Sequence, residues 1–189
     1  MALEEKLAAA SALVSENEDL RGLLAYRSRT DMVLIPADVI GSDPDATVRA
    51  LVIDRGSEDG IRRGDPVIVG EGTLVGKVER VSVGHATVLL PTDPRSAIGV
   101  MLAQRPEANG VAQGEKGLVV SMTLIPQHAT VEKGDAVVTT GREQFIPRGL
   151  LVGAVESVVT VPSEPFMSAT VVPAVDALAL TKVAVLHQK

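Results

Sequence analysis

The chain has 189 residues, a formal net charge of −6 and 46% hydrophobic side chains, with Tyr26, Phe145 and Phe166 as its aromatics. This balance argues against nucleic-acid binding, which needs clustered Lys and Arg for phosphates and rings for base stacking. The absence of cysteine excludes disulfides and thiolate zinc sites, and no run of about 18 apolar residues marks a membrane span in the given sequence.

Residues 2–26 are rich in Ala, Leu, Glu and Lys, with Gly22 as the one residue against a helix. Alternating steps of three and four pick out Leu3, Lys6, Ala10, Leu13, Asn17, Leu20 and Leu24. A polar Asn17 at an a position between Leu13 and Leu20 fixes register and favours two parallel strands. The pattern predicts a coiled-coil dimerisation helix over residues 1–27, with Leu3, Ala10, Leu13, Asn17, Leu20 and Leu24 on the seam.

After Tyr26 the helical period stops. Met32 to Ile40 is apolar and extended, with Pro36 against a helix, and Val48 to Asp54 is a second strand. From Ile61 the chain then repeats itself. Ile61-Arg62-Arg63-Gly64-Asp65-Pro66-Val67-Ile68 aligns with Val131-Glu132-Lys133-Gly134-Asp135-Ala136-Val137-Val138, and Leu74-Val75-Gly76 with Leu151-Val152-Gly153. Ala86-Thr87-Val88 aligns with Ala169-Thr170-Val171, after two longer loops in the second copy. Repeats of this kind imply two related modules. Gly60, Gly64, Asp65, Gly134 and Asp135 read as turn residues, and Gly76 and Gly153 as bulges or barrel corners. Small β-branched residues suit narrow barrels. The expected fold is mainly β: the N-terminal helix, then a first β-barrel domain over 28–104 and a second over 105–189, related by duplication, with strands open to exchange at the boundary. Ala97 to Ala103 is read as a strand of the first.

Chemistry is sparse. His85, Asp135 and Ser168 follow the chain order of a chymotrypsin-like protease, yet no glycine-flanked turn near Ser168 offers an oxyanion hole. His85, His128 and His187 are scattered without metal-ligand spacing, and no phosphate loop occurs. No catalytic, metal or cofactor site is therefore expected. The candidate surfaces are the extra loops of the second copy, with Arg142, Phe145, Arg148, Phe166 and Met167 as partner or self-assembly residues. A ligand-binding β barrel outside the cytoplasm is the second reading, and the protease the third.

Further motifs occur in a fixed order. Glu16 to Leu24 is followed by Ala37-Asp38-Val39-Ile40-Gly41, Asp43-Pro44 and Ile53 to Ile61, then by Gly64-Asp65-Pro66-Val67 and Leu74 to Val78. Thr92-Asp93-Pro94, Asn109-Gly110-Val111-Ala112, Gly134 to Gly141, Phe145 to Gly153 and Glu164-Pro165-Phe166 complete the series. Each is weak alone, but their order over nearly the entire chain resembles the extracytoplasmic region of the rod shape-determining MreC family. The resemblance implies a coiled coil ahead of two β barrels, and a membrane span and short cytoplasmic segment ahead of the coil in the full-length protein. It implies a non-enzymatic scaffold of the bacterial cell-elongation complex, extracytoplasmic and membrane-anchored. The partners implied are a second copy in a homodimer or larger assembly, a penicillin-binding transpeptidase, and MreB and MreD-type partners through the N-terminal region. Thr139-Thr140-Gly141-Arg142-Glu143-Gln144 departs from the family's small-residue loop.

Overall fold

The computed structural model describes residues 14, 17, 21–22, 32–42, 49–115 and 119–187. Val14, Asn17, Arg21 and Gly22 are helical; the remainder of the predicted coiled coil, including Leu3, Ala10, Leu13, Leu20 and Leu24, lies outside the described residues. Among the described residues no helix is long and apolar enough to cross a membrane.

The described residues form twelve strands. They are β1 (Val33–Ser42), β2 (Ala50–Ile53), β3 (Pro66–Val69), β4 (Thr73–Val81), β5 (Ala86–Leu89), β6 (Ala97–Leu102), β7 (Asn109–Gly114), β8 (Val120–Pro126), β9 (Ala136–Thr139), β10 (Leu151–Val159), β11 (Phe166–Pro173) and β12 (Lys182–His187). Hydrogen bonding joins β12–β1–β2–β5–β4–β3 and returns to β12, and joins β6–β7–β8–β11–β10–β9 and returns to β6. Each circuit is a closed ring of six antiparallel strands, which leaves no free sheet edge within it. The rings meet where β10 pairs parallel with β4 at Leu151 and Thr73.

The expected division at residue 104 does not follow this pairing. β6 lies before it but closes the second ring, between β7 and β9. β12, from the end of the chain, closes the first, between β1 and β3. The reason is packing: Ile98, Val100 and Leu102 of β6 face the second core, while Val183 and Val185 of β12 face the first. The first ring thus takes its sixth strand from the far end of the sequence.

The two rings match in detail. Gly64 and Gly134 both adopt the left-handed conformation, at φ 95° and 93°, and their N–H groups donate to Val78 and Val155 at 2.8 Å each. The register of β4 against β3 shifts between Leu74 and Gly76, and that of β10 against β9 between Leu151 and Gly153. A second shift follows in each, between Val78 and Arg80 and between Val155 and Ser157. At Gly76 and Gly153 a Cβ would lie 2.3 Å and 2.1 Å from the carbonyl oxygens of Leu89 and Val172. These bulges therefore demand glycine because a neighbouring strand's backbone occupies the Cβ position.

Two cores result, and one joins the rings. Val67 and Val69 of β3, with Val183 and Val185 of β12, fill the first ring. The alternate residues Ile68, Ala184 and Leu186, with Leu74 of β4, point the other way and pack with Ile98, Val137, Leu150 and Val152 of the second ring's core. β3 and β12 are apolar at nearly every position because both faces are covered. Ile68, Leu74 and Leu186 are fully buried, and each contributes on the order of 1.5–3 kcal/mol through the area removed from water. The rings therefore share a core rather than hanging from a linker.

Candidate functional site

The repeated Gly-Asp turns place a carboxylate at one end of each ring. Asp65 Oδ2 accepts from the Arg62 N–H at 2.9 Å, and Asp135 Oδ2 accepts from the Glu132 N–H at 2.8 Å. Asp65 then binds the last residue of β12, and Asp135 a residue in the connection that follows β6. Asp65, fully buried, faces His187 Nδ1 at 3.1 Å. Asp135 accepts from Arg105 Nη2 at 2.6 Å. Asp65 thus ties its Gly-Asp turn to the strand that completes the first ring, and Asp135 ties its turn to the β6–β7 connection of the second.

This arrangement dismantles the protease constellation. Asp135 is committed to Arg105 and Glu132, His85 is exposed in the turn between β4 and β5 of the first ring, and Ser168 sits on β11 of the second opposite Val159. The three residues do not form a relay. The ring interiors are occupied by Val, Leu, Ile, Ala and Met side chains.

A second carboxylate orders the passage between the rings. Asp93 is fully buried in the Thr92-Asp93-Pro94 segment that connects β5 to β6. Its oxygens accept from Arg49 N at 2.8 Å, Arg95 N at 2.8 Å, and Arg95 Nε and Nη2 at 2.9 and 3.1 Å. Burial by itself would raise the Asp93 carboxyl, but the Arg95 guanidinium and the two backbone donors outweigh it and hold the group below the usual carboxylate range. The second ring closes on this segment: Gln113 Nε2 donates to Pro94 O at 2.7 Å, and a Cβ on Gly114 would collide with the Thr92 backbone.

The longer loop of the second copy, between β9 and β10, is held from several sides. Thr139 Oγ1 donates to Pro147 O at 2.6 Å and accepts from Leu150 N at 3.0 Å. Glu143 Oε1 accepts from Gly99 N at 2.9 Å, and its other oxygen lies 3.8 Å from Lys77 Nζ of the first ring. Phe145 lies over Gly64, whose Cβ, were there one, would be 2.9 Å from the ring. A cavity of about 350 Å3 lined by Arg63, Lys77, Glu79, Gln144, Phe145 and their neighbours marks this junction. Phe145 is therefore half-buried against the first ring, whereas Arg142 and Arg148 of the same loop are exposed. Phe166 is exposed at the start of β11, but Met167 is buried in the second core, because alternate residues of a strand point to opposite faces. Met167 is a core residue rather than a surface anchor. Of the predicted dimer seam, Asn17 is described, and it is helical and exposed. Gly22 is buried, and a Cβ there would lie 3.0 Å from the backbone of Gly70.

Sequence reading quoted Thr139, Glu143 and Asp93 within motifs but missed their roles, which depend on partners in other segments. The sequence signal for Asp93 was its place between Thr92 and Pro94, a turn pattern with a carboxylate in it.

Comparison with known proteins assigns this architecture. Residues 39–187 match the family model described as "Rod shape-determining protein MreC, barrel core". The cell shape-determining protein MreC of Caulobacter vibrioides is 35% identical over 145 residues, 77% of this chain and 41% of that protein. Its counterpart in Haemophilus influenzae is 32% identical over 143 residues, 76% of this chain and 40% of that protein. The matches thus span about two fifths of these curated relatives. Among solved structures, one named MreC aligns with a TM-score of 0.81 at 28% identity, covering 93% of this chain and 99% of that one. The major periplasmic domain from the cell shape-determining filament MreC aligns at 0.72 and 21% identity, covering 84% and 97%. A chain from the complex between Penicillin-Binding Protein (PBP2) and MreC from Helicobacter pylori aligns at 0.68 and 18%, covering 84% and 100%; at these two identities the likeness is one of fold. With its barrel-core match spanning most of the sequence, the chain belongs to the rod shape-determining protein MreC family.

Proposed function

We propose that this chain is the scaffolding part of the bacterial cell-elongation complex, acting outside the cytoplasm and joining the membrane and cytoskeletal side to peptidoglycan synthesis without transforming a substrate. The observation that carries the reading is the shared core of the two rings, with Ile68, Leu74, Ala184 and Leu186 packed into the second ring's interior. Such packing sets one ring relative to the other, as a protein that presents surfaces at a set spacing requires. Filled ring interiors favour this over a ligand-binding barrel, and no cofactor is assigned.

The partners we assign are a penicillin-binding transpeptidase, a second copy of the chain through the N-terminal coil, and MreB and MreD-type proteins through the region before it. The fold shared with a chain of the PBP2–MreC complex supports the first, and the description of a structural relative as a periplasmic domain supports the location. The matching turns and bulges of the two rings support an origin by duplication. Arg142, Arg148 and Phe166 are the side chains we assign to partner contact, the first two exposed on the β9–β10 loop and the third exposed at the start of β11, just after the other added loop.

The test is capture of the purified transpeptidase. Phe166→Asp combined with Arg148→Glu should weaken capture by about tenfold or more, the loss of an aromatic anchor and a charge, with the melting curve unchanged. Undiminished capture by this folded variant would reject these loops as the contact.

A further inference from the structure

The first ring carries a recess of about 690 Å3, bounded by the turn after β2, the Arg62-Arg63 turn, the end of β4 and the connection to the second ring. Arg62, Arg63, Arg80 and Arg95 line it, with Glu79 as the acid among them. A chain whose charges sum to −6 therefore gathers four guanidinium groups in a single concavity against two carboxylates, Glu79 within it and Asp93 bound to Arg95. The local field is opposite in sign to that of the whole molecule, and low-dielectric walls focus it.

The protein itself displays what these groups accept. Arg63 Nη2 donates to Glu79 Oε1 at 2.7 Å. Arg95 grips both Asp93 oxygens in the parallel fork that matches guanidinium to carboxylate. Arg62 and Arg80 are exposed and have no carboxylate partner among the described residues. The cavity at the ring junction shares Arg63 and Glu79 with the recess and adds Lys77, Glu143, Val78 and Phe145. The recess thus borders a cavity where Val78, Phe145 and Ile146 supply apolar surface beside the Lys77–Glu143 pair.

We infer that this groove binds an acidic segment of a partner polypeptide, its carboxylates on Arg62 and Arg80 and an apolar side chain of the same segment against Phe145. Charge complementarity selects the occupant: an acidic partner is repelled by a molecule of net negative charge and steered to a concavity of opposite sign. The inference stands independently of the loop contacts proposed above.

Fluorescence anisotropy of the whole chain with a fluorescein-labelled peptide of alternating Glu and Leu tests it. The peptide should bind, weaken as salt is raised, and lose about tenfold or more in affinity for the Arg62→Glu/Arg80→Glu variant, which removes two charge-assisted contacts. The triple variant His128→Glu/Thr130→Glu/Lys133→Glu makes the same change in net charge on exposed positions of the second ring and should bind like the parent. Equal losses in both variants would reduce the effect to overall charge and overturn the site, as would absence of binding to the parent. Binding of anionic phosphatidylglycerol vesicles but not the peptide, lost in Arg62→Glu/Arg80→Glu, would make the recess a lipid site and reject the inference. Sedimentation showing that this variant loses self-association while peptide binding persists would instead assign the recess to a second copy. Transpeptidase capture through Phe166 and Arg148 is read separately, so either proposal fails without the other.

Discussion

Asp93 shows how one residue sets the passage between rings. It is fully buried, yet four donors from Arg49 and Arg95 surround its oxygens, so its charged form is favoured in the folded state. A carboxyl whose folded pKa lies below its unfolded value stabilises the protein fully above the unfolded value and loses that contribution as pH falls through the folded one. The window is therefore acidic, below the ordinary value of 3.8. Asp93→Asn should lower stability at neutral pH by about 1–3 kcal/mol, the range for weakening a buried charge-assisted set, and the gap to the parent should narrow in acid. Urea unfolding across pH 2–7 measures both. A gap that stays constant with pH would remove the carboxylate's charge from the account. In the sequence this residue was one letter of a turn motif, because its four donors come from two separate segments.

At the scale of elements, β12 decides the first ring. It supplies ladders to β1 and β3, two side chains to the first core and two to the shared one. Val183, Val185 and Leu186 alone account for on the order of 5–9 kcal/mol of burial, comparable with the whole net stability of an ordinary domain. Ending the chain after Thr181 should therefore abolish cooperative unfolding, with exposed apolar surface detected by dye binding. A truncated chain that melts as sharply as the parent would show that five strands suffice. The apolar run of β12 was legible as a strand. Its partners were not, since Ala184 lies opposite Ile68, a residue from the opening turn-and-strand of the repeat.

For the whole molecule, the property that matters is the set relation of the two rings. It rests on the shared core, on Asp93, and on the loop that carries Glu143 to Lys77 and Phe145 to Gly64. Phe145→Ala should cost about 1–3 kcal/mol, less than a full core deletion because the ring is half-buried. It should speed hydrogen exchange at Gly64 and along residues 140–148, while Phe166→Ala, at an exposed position, leaves both unchanged. Equal protection in parent and Phe145→Ala would mean that the loop does not fasten the rings.

The sequence by itself determined what is local. Gly64-Asp65 and Gly134-Asp135 announce turns, and Gly76 and Gly153 announce bulges, because backbone sterics and short-range hydrogen bonds act within a few residues. The mainly β character followed from the Val-rich runs between them. Only the tertiary structure decided that β6 and β12 close the rings opposite to their order along the chain, that Phe145 seats on Gly64, and that Arg62, Arg80 and Arg95 converge. The physical reason is that closing a long loop costs little more than closing a short one. Which strand fills the last place in a ring is then chosen by the packing of both its faces, a quantity that no window of sequence contains.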